Sequence, residues 1–444
     1  MRLAETVPLT FEQCGPNLLA RARARIEPGW IDEALKAAGT ATVRRRKLPM
    51  DVVVWLVLGA CLLAGMGFTE VVRRLGLTAP TARANPQSPP SGSSVADARA
   101  RLGDEVMRHL HAVTARHWGD VEDFQHLRFH GLRVLVADGF ALRTPDTAAH
   151  REAFGKPASR RDEAAYPVVH AVGLAEAVTH LVLDVELGGV SASEKAMFGA
   201  MVSRIPGASV TVLDRGYDAT HLMHALGDVA MDRHWLIRAT ASRNYRVLRS
   251  LGVGDDEVAV DVNKTAKQKD PTLPDAIVVR RIRYTAGRTQ FTVLTSMTDP
   301  SRFPRDEVAA LYHQRWEAEL IVDDLKTEQR DSAVTLRSKT PVGIRQEIYG
   351  LLVAHNLVRL EMARAAVLLK VEPTRISFHR ALGVVCDHLR MIVDAAPPSK
   401  WVDREALLLR ELAYLKLPPR RERSYPRAMK MPVGRYPRKL ASRR

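Results

Sequence analysis

Leu132–Phe140 reads LRVLVADGF, and Ser209–Tyr217 reads SVTVLDRGY. Each is a short run of branched apolar residues that stops at an aspartate followed closely by glycine. That is the pattern of a strand buried on both faces and closed by a turn. Asp138 and Asp214 therefore end two apolar strands, the place where open α/β sheets bind ligands. A strand-end aspartate is also an ordinary turn former, because its side chain bonds its own backbone.

The surrounding elements set these strands in order. Val168–Leu187 reads as two strands with a turn near Ala175–Glu176. Ser191–Ile205 reads as a helix, with Ser191 or Ser193 as N-cap and Glu194 in the first turn. A short helix over 218–228 and a fifth strand, Trp235–Ala239, follow. Residues 243–300 alternate or are β-branched at Val258–Val262, Ile277–Tyr284 and Gln290–Thr295, split by the lysine-rich Lys264–Pro274. A helix from Arg305 to Gln329 comes next, with Pro304 suited to its start, then helices over 342–368 and 373–392. This order predicts an α/β fold: an RNase H-like mixed sheet core covered by helices, interrupted by a mainly β insertion. N-terminal and C-terminal helical regions flank it.

Residues 1–84 look helical, and Asn85–Ser94 (NPQSPPSGSS) is the clearest linker. The expected divisions are an N-terminal helical DNA-binding region over 1–94, the first part of the core over 95–242, and the insertion over 243–300. The late core helix over 301–335, a helical region over 336–415 and a basic tail over 416–444 complete them. One stretch, Val52–Thr69, is uncharged for 18 residues, against the about 20 of a membrane span. Three glycines and the lack of a second such stretch favour a buried core helix over an anchor, although Arg44–Lys47 beside it suits either an anchor or DNA. The first residues have no apolar signal core. Cys14, Cys61 and Cys386 are too scattered for a disulfide framework or a zinc site, so a reducing cytoplasm is expected.

The late helix is LYHQRWEAELIVDDLKTEQR, 311–330. Tyr312, Arg315, Glu319 and Lys326 recur at offsets of three, four and seven, which share a face at 3.6 residues per turn. Leu311, Ala318 and Leu325 form an adjoining apolar stripe. A solvated charged face has the same spacing. Three acids from separate elements are, however, what a divalent metal at a phosphodiester requires. The chain's 66 Lys and Arg against 50 Asp and Glu, net +16 in 444 residues, point to a polyanionic partner: nucleic acid first, an anionic membrane surface second.

Here the chain resembles the bacterial DDE transposases of the insertion-sequence-4 family. It matches the family's Tyr-(2)-Arg-(3)-Glu-(6)-Lys signature at Tyr312, Arg315, Glu319 and Lys326. The second-acid motif stands as Asp214-Arg215-Gly216-Tyr217. The first acid, usually Asp-Gly-Thr or Asp-Gly-Ser, stands as Asp138-Gly139-Phe140 and lacks the hydroxyl. Arg46-Lys47-Leu48-Pro49, Ala98-Arg99-Ala100-Arg101-Leu102-Gly103 and residues 336–359 are also family-like. The resemblance implies that Asp138, Asp214 and Glu319 form a catalytic triad holding Mg2+, with Mn2+ as a substitute. It implies that Tyr312, Arg315 and Lys326 hold the phosphates and terminal nucleotides of the transposon end, and Arg215 is placed with these DNA-binding residues. Some relatives form a DNA hairpin and stack a flipped base on an aromatic of the insertion; Tyr284 and Phe291 are the substitutes here, unless both are core strand residues.

The implied activity is cut-and-paste transposition: metal-dependent nicking at the element ends, then 3′-hydroxyl strand transfer. The alternatives are a metal-dependent nuclease on the same core and a sequence-specific DNA-binding protein with a vestigial centre. The expected partners are double-stranded DNA, as terminal inverted repeats and target, and a second copy of the chain in the synaptic complex, with no membrane. Phe68–Leu75 and Val95–Leu102 either read the inverted repeat or form a bundle without base contact. From Lys416 onward the tail holds eleven Lys and Arg and one Glu, with Tyr425 and Tyr436 interleaved, which suits phosphate contact or a solubilising tail.

Overall fold

The computed structural model describes residues 25–40, 48–63, 66–74, 90–119, 122–158, 164–328, 335–391 and 401–418. The Arg44–Lys47 cluster, most of the linker and Tyr425 and Tyr436 lie outside the described residues. The chain forms two compact units. One comprises Met1–Asp120, Leu142–Val169 and Asp323–Arg444; the other comprises Val121–Ala141 and His170–Val322.

The second unit is built on one nine-stranded sheet. Its strands are β1 (Arg133–Arg143), β2 (Val168–Glu176), β3 (Val182–Gly188), β4 (Ser209–Leu213), β5 (Arg233–Arg238), β6 (Arg246–Gly252), β7 (Asp255–Asp261), β8 (Ala276–Ala286) and β9 (Thr289–Thr295). Their order is β3-β2-β1-β4-β5-β9-β8-β7-β6. β1, β4 and β5 run parallel, while β2–β3 and every pair from β5 to β6 are antiparallel. All five residues of β4 are buried, as a central parallel strand requires. The chain is an α/β protein with a mixed sheet, and its first five strands carry the expected RNase H-like core. The β-rich segment after β5 continues the same sheet. One core cluster runs from Leu135, Phe198 and Trp235 to Val258, Val279 and Leu294, so both parts share their apolar interior. Arg280, fully buried, forks onto Asp255 at 2.8 and 2.6 Å and donates to the Phe303 carbonyl at 2.6 Å.

Local pattern misplaces several boundaries. β1 does not end at Asp138-Gly139 but continues to Arg143, because burial still alternates through Phe140 and Leu142. The β2–β3 turn lies after Glu176, with His180 at φ 61. The helix after β3 spans Glu194–Met201 and tightens into a 3-10 turn, Val202–Arg204. The long helix expected over 305–329 is broken into a helix Arg305–Leu311, a 3-10 turn Tyr312–Arg315, a helix Trp316–Asp323 and a π turn Asp324–Glu328.

In the first unit the 29-residue helix Pro341–Leu369 packs against Met50–Leu62 and Glu105–Trp118. Gly350 permits that approach: a Cβ there would lie 3.0 Å from both the Cys61 sulfur and a Val57 methyl. The apolar stretch that resembled a membrane span is the buried 13-residue helix Met50–Leu62. Among the described residues no helix is long and apolar enough to cross a membrane. The linker is shorter than its composition suggests, since Ser91 caps a helix that begins at Gly92. Arg99, on that helix, is buried and bonds Gln346, Ser338 and the Gly343 carbonyl at 2.9–3.1 Å. Its family-like motif thus serves packing at this position.

Candidate active site

β1 and β4 are neighbours in register, with Leu135 opposite Thr211 and Val136 opposite Val212. Asp138 and Asp214 each stand two residues beyond that last pair, on the face shared by Val136 and Val212 because side chains alternate with period two. The Oδ1 of Asp138 accepts the Gly139 N–H at 2.8 Å. Asp214 caps the turn Arg215–Tyr217, its Oδ1 accepting the Gly216 N–H at 2.6 Å. So Asp214 does end its strand, whereas Asp138 sits within one.

The third acid is carried by the helix Trp316–Asp323. That helix buries Ala318 and Ile321. It is pinned by Glu317, which meets the Nε2 of the buried His180 at 2.8 Å. The preceding helix, Arg305–Leu311, is held similarly by Glu307 against His130 at 2.7 Å. Glu319 and Arg315 form an ion pair at 2.7 Å across one turn. Among the described residues no three His, Cys, Asp or Glu side chains are gathered into a ready-made metal site, and this pair is one physical reason: the glutamate is turned toward a guanidinium.

Electrostatics nonetheless link these groups. The Asp138 carboxyl is raised to about 6, chiefly by burial and also by the nearby Asp214 and Glu194 charges, against the pull of the Gly139 N–H and Arg315. Burial also raises the Tyr217 hydroxyl, helped by Glu194, Asp138 and Asp214. That hydroxyl is buried and has no hydrogen-bond partner among the described residues. Carboxylate oxygens without sulfur or imidazole are the donor set of a hard divalent cation, so Asp138 and Asp214 fit one.

The signature residues divide. Tyr312 is buried in the 3-10 turn, and its hydroxyl is raised by burial against the opposing pull of Arg315, Arg238 and Arg215, with Asp214 adding to the rise. Arg215 is exposed. Lys326 is half-buried in the π turn Asp324–Glu328, within the helical unit. The 3.6-residue spacing that grouped it with Glu319 does not describe a π turn. Tyr284 and Phe291 are opposite one another on β8 and β9, stacked at 5.3 Å and 10°. Phe291 also lies 6.2 Å from the Tyr312 ring. Arg238, over Phe291 at 4.6 Å, is missing from the residues that the sequence singled out. The available signal is a charged residue directly after the buried Trp-Leu-Ile of β5: with Leu213 opposite Ile237, Arg238 stands one step on, level with Asp214.

Comparison with known proteins bears on this geometry. Residues 17–112 match the model of the insertion element 4 transposase N-terminal region, and residues 129–357 match that of the transposase DDE domain. The transposase InsG for insertion sequence element IS4 of Escherichia coli K12 is 34% identical over 93% of this chain and 92% of its own length. The putative transposase InsZ of the same strain is 30% identical over 57% of this chain and 86% of its own. A solved piggyBac transposase synaptic complex with hairpin DNA aligns over 94% of this chain and 89% of its own, at 12% identity and a TM-score of 0.37.

Proposed function

Because this chain belongs to the insertion-sequence-4 family of DDE transposases, and so is a DNA-binding enzyme of insertion-sequence transposition, we propose that Asp138, Asp214 and Glu319 are its catalytic acids. The observation that supports this best is the matched position of Asp138 and Asp214 on neighbouring parallel strands. DDE domains use divalent metal ions, and for this chain we take the ion to be Mg2+, with Mn2+ as a substitute. When bound, it supplies activation of the attacking oxygen and stabilisation of the leaving one at phosphorus.

The protein's own groups do the rest. Asp138 and Asp214 would hold the ion from the sheet, and Glu319 would join them on leaving Arg315. Such an i,i+4 pair is worth only about 0.3–0.5 kcal/mol, so a DNA phosphate taking the guanidinium and a cation taking the carboxylate readily replace it. The charges of Arg315, Arg238 and Arg215 all act on Tyr312; these arginines hold the phosphates of the transposon end, with Lys326 as a further contact. Water attacks the phosphodiester at the end of the element, and the P–O3′ bond breaks to release a 3′-hydroxyl. That hydroxyl then attacks target DNA, displacing a target 3′-oxygen and giving its proton to solvent. The working species on terminal inverted repeats is a homodimer that joins two ends. Tyr284 and Phe291 are packed on each other, so stacking of a flipped base and hairpin formation require these rings to part.

A cleavage and strand-transfer assay with the element's own ends tests this reading. Glu319→Ala and Asp214→Ala are expected to retain gel-shift binding and lose both nicking and joining. Unchanged nicking in Glu319→Ala would remove that residue from the centre. Nicking without joining by the native chain would leave a nuclease.

A further inference from the structure

The helix after β3 opens with an acid that its position in the sequence explains as a helix-start residue, since negative charge is favoured there. Its placement asks for more. A methyl group built on Gly139 would lie 2.5 Å from both the Cδ and Oε1 atoms of Glu194. The Glu194 carboxylate thus rests on the backbone of β1 at Gly139, the residue after Asp138, in space that a side chain there would occupy. Gly139 lies in ordinary extended strand, so close approach, not backbone freedom, is what glycine provides. No cation or hydrogen-bond donor among the described residues partners Glu194.

The Glu194 charge acts on Asp138, and Glu194, Asp138 and Asp214 all act on Tyr217, although the three are not gathered into a ready-made metal site. A second observation points to a ligand there. The Tyr217 hydroxyl is buried, with the residue only 2% exposed, and has no hydrogen-bond partner among the described residues, although these same three acids act on it. A buried hydroxyl donor left idle near carboxylates is a costly arrangement. It is satisfied when a hydrated cation brings water and carboxylate oxygens into order around it.

We propose that Glu194 is a fourth acid of the catalytic centre, seated on Gly139 so that it shares with Asp138 the divalent ion and its water shell. The proposal rests on the reading of Asp138 and Asp214 as metal-holding residues. In it, Glu194 draws the ion to the β1 side of the site, and a side chain at 139 would displace that carboxylate.

The test is Mn2+ binding to the full-length chain, followed by the electron paramagnetic resonance of free Mn2+ and by calorimetry, with circular dichroism to check folding. Glu194→Gln is expected to weaken Mn2+ binding by on the order of tenfold to a hundredfold, the usual cost of losing a supporting group around a metal. Gly139→Ala is expected to do the same with the glutamate still present, and the double variant to lose no more than either single one. Glu186→Gln, an acid paired with Arg204 on the surface, is expected to bind Mn2+ as the native chain does. Asp138→Asn separates the two ideas. If it loses Mn2+ while Glu194→Gln binds normally, the fourth acid is overturned and the site reading stands. If both bind normally, the site reading falls as well.

Discussion

Asp138 is the residue on which the local chemistry turns. It is raised to about 6 because burial and like charges disfavour its ionised form, with Asp214 as the largest neighbouring acid. Its ordinary value is 3.8, so in the metal-free chain this group makes folding less favourable as pH climbs from about 4 to about 6. Metal binding needs the ionised form and must displace that proton. Mn2+ affinity is therefore expected to fall as pH drops below about 6, and to flatten above 7. Calorimetry across pH 5–8 checks this, and a flat profile through pH 6 would contradict the electrostatic account. At Arg315, replacement by alanine frees Glu319 yet removes a phosphate ligand. The expected result is retained Mn2+ binding with slower cleavage and weaker binding of end DNA, which gel shift and a nicking assay would separate.

At the scale of elements, β7 and β8 are joined by a buried ion pair. Arg280 has no exposure at all, and Asp255 is 3% exposed. Taking charges from water is expensive, and removing one partner strands the other. Arg280→Ala is expected to cost about 3–5 kcal/mol in urea unfolding, whereas Arg280→Met with Asp255→Leu should recover most of it. Equal losses in both variants would show that the pair's bonds to the strands, not its charge, hold this part of the sheet. The broken late helix teaches a related lesson. Its residues have helical spacing throughout, yet it tightens at Tyr312–Arg315 and widens at Asp324–Glu328. Spacing places Arg315 against Glu319 correctly and leaves the position of Lys326 to the π turn, which no periodicity announces.

The whole molecule carries net +16, and a protein that neutralises phosphates releases counterions. DNA affinity should therefore fall steeply with salt. Removing residues 419–444 deletes ten Lys and Arg and one Glu. That truncation is expected to weaken DNA binding and lower the slope of log affinity against log salt; an unchanged slope would mean that the tail does not touch phosphate. Sedimentation with end DNA should show a complex with the mass of two chains and two ends, and a complex of a single chain with a single end at saturating protein would exclude the synaptic dimer.

Local pattern carries a good deal in this protein. Apolar runs at 132–137 and 209–213, the lysine-rich break near 264 and the acids that follow the strands are written in neighbouring residues, so the α/β core and the candidate acids are legible directly. What depends on residues far apart in the chain is not. Continuation of β1 through Asp138, the pairing of β5 with β9 that makes one sheet of core and insertion, and the level placement of Arg238 beside Asp214 follow from strand register. The seat of Glu194 on Gly139 and the capture of Glu319 by Arg315 follow from side-chain packing and charge competition. Both arise from contacts whose energy exists only once distant segments share a surface, and periodicity along a chain holds no record of them.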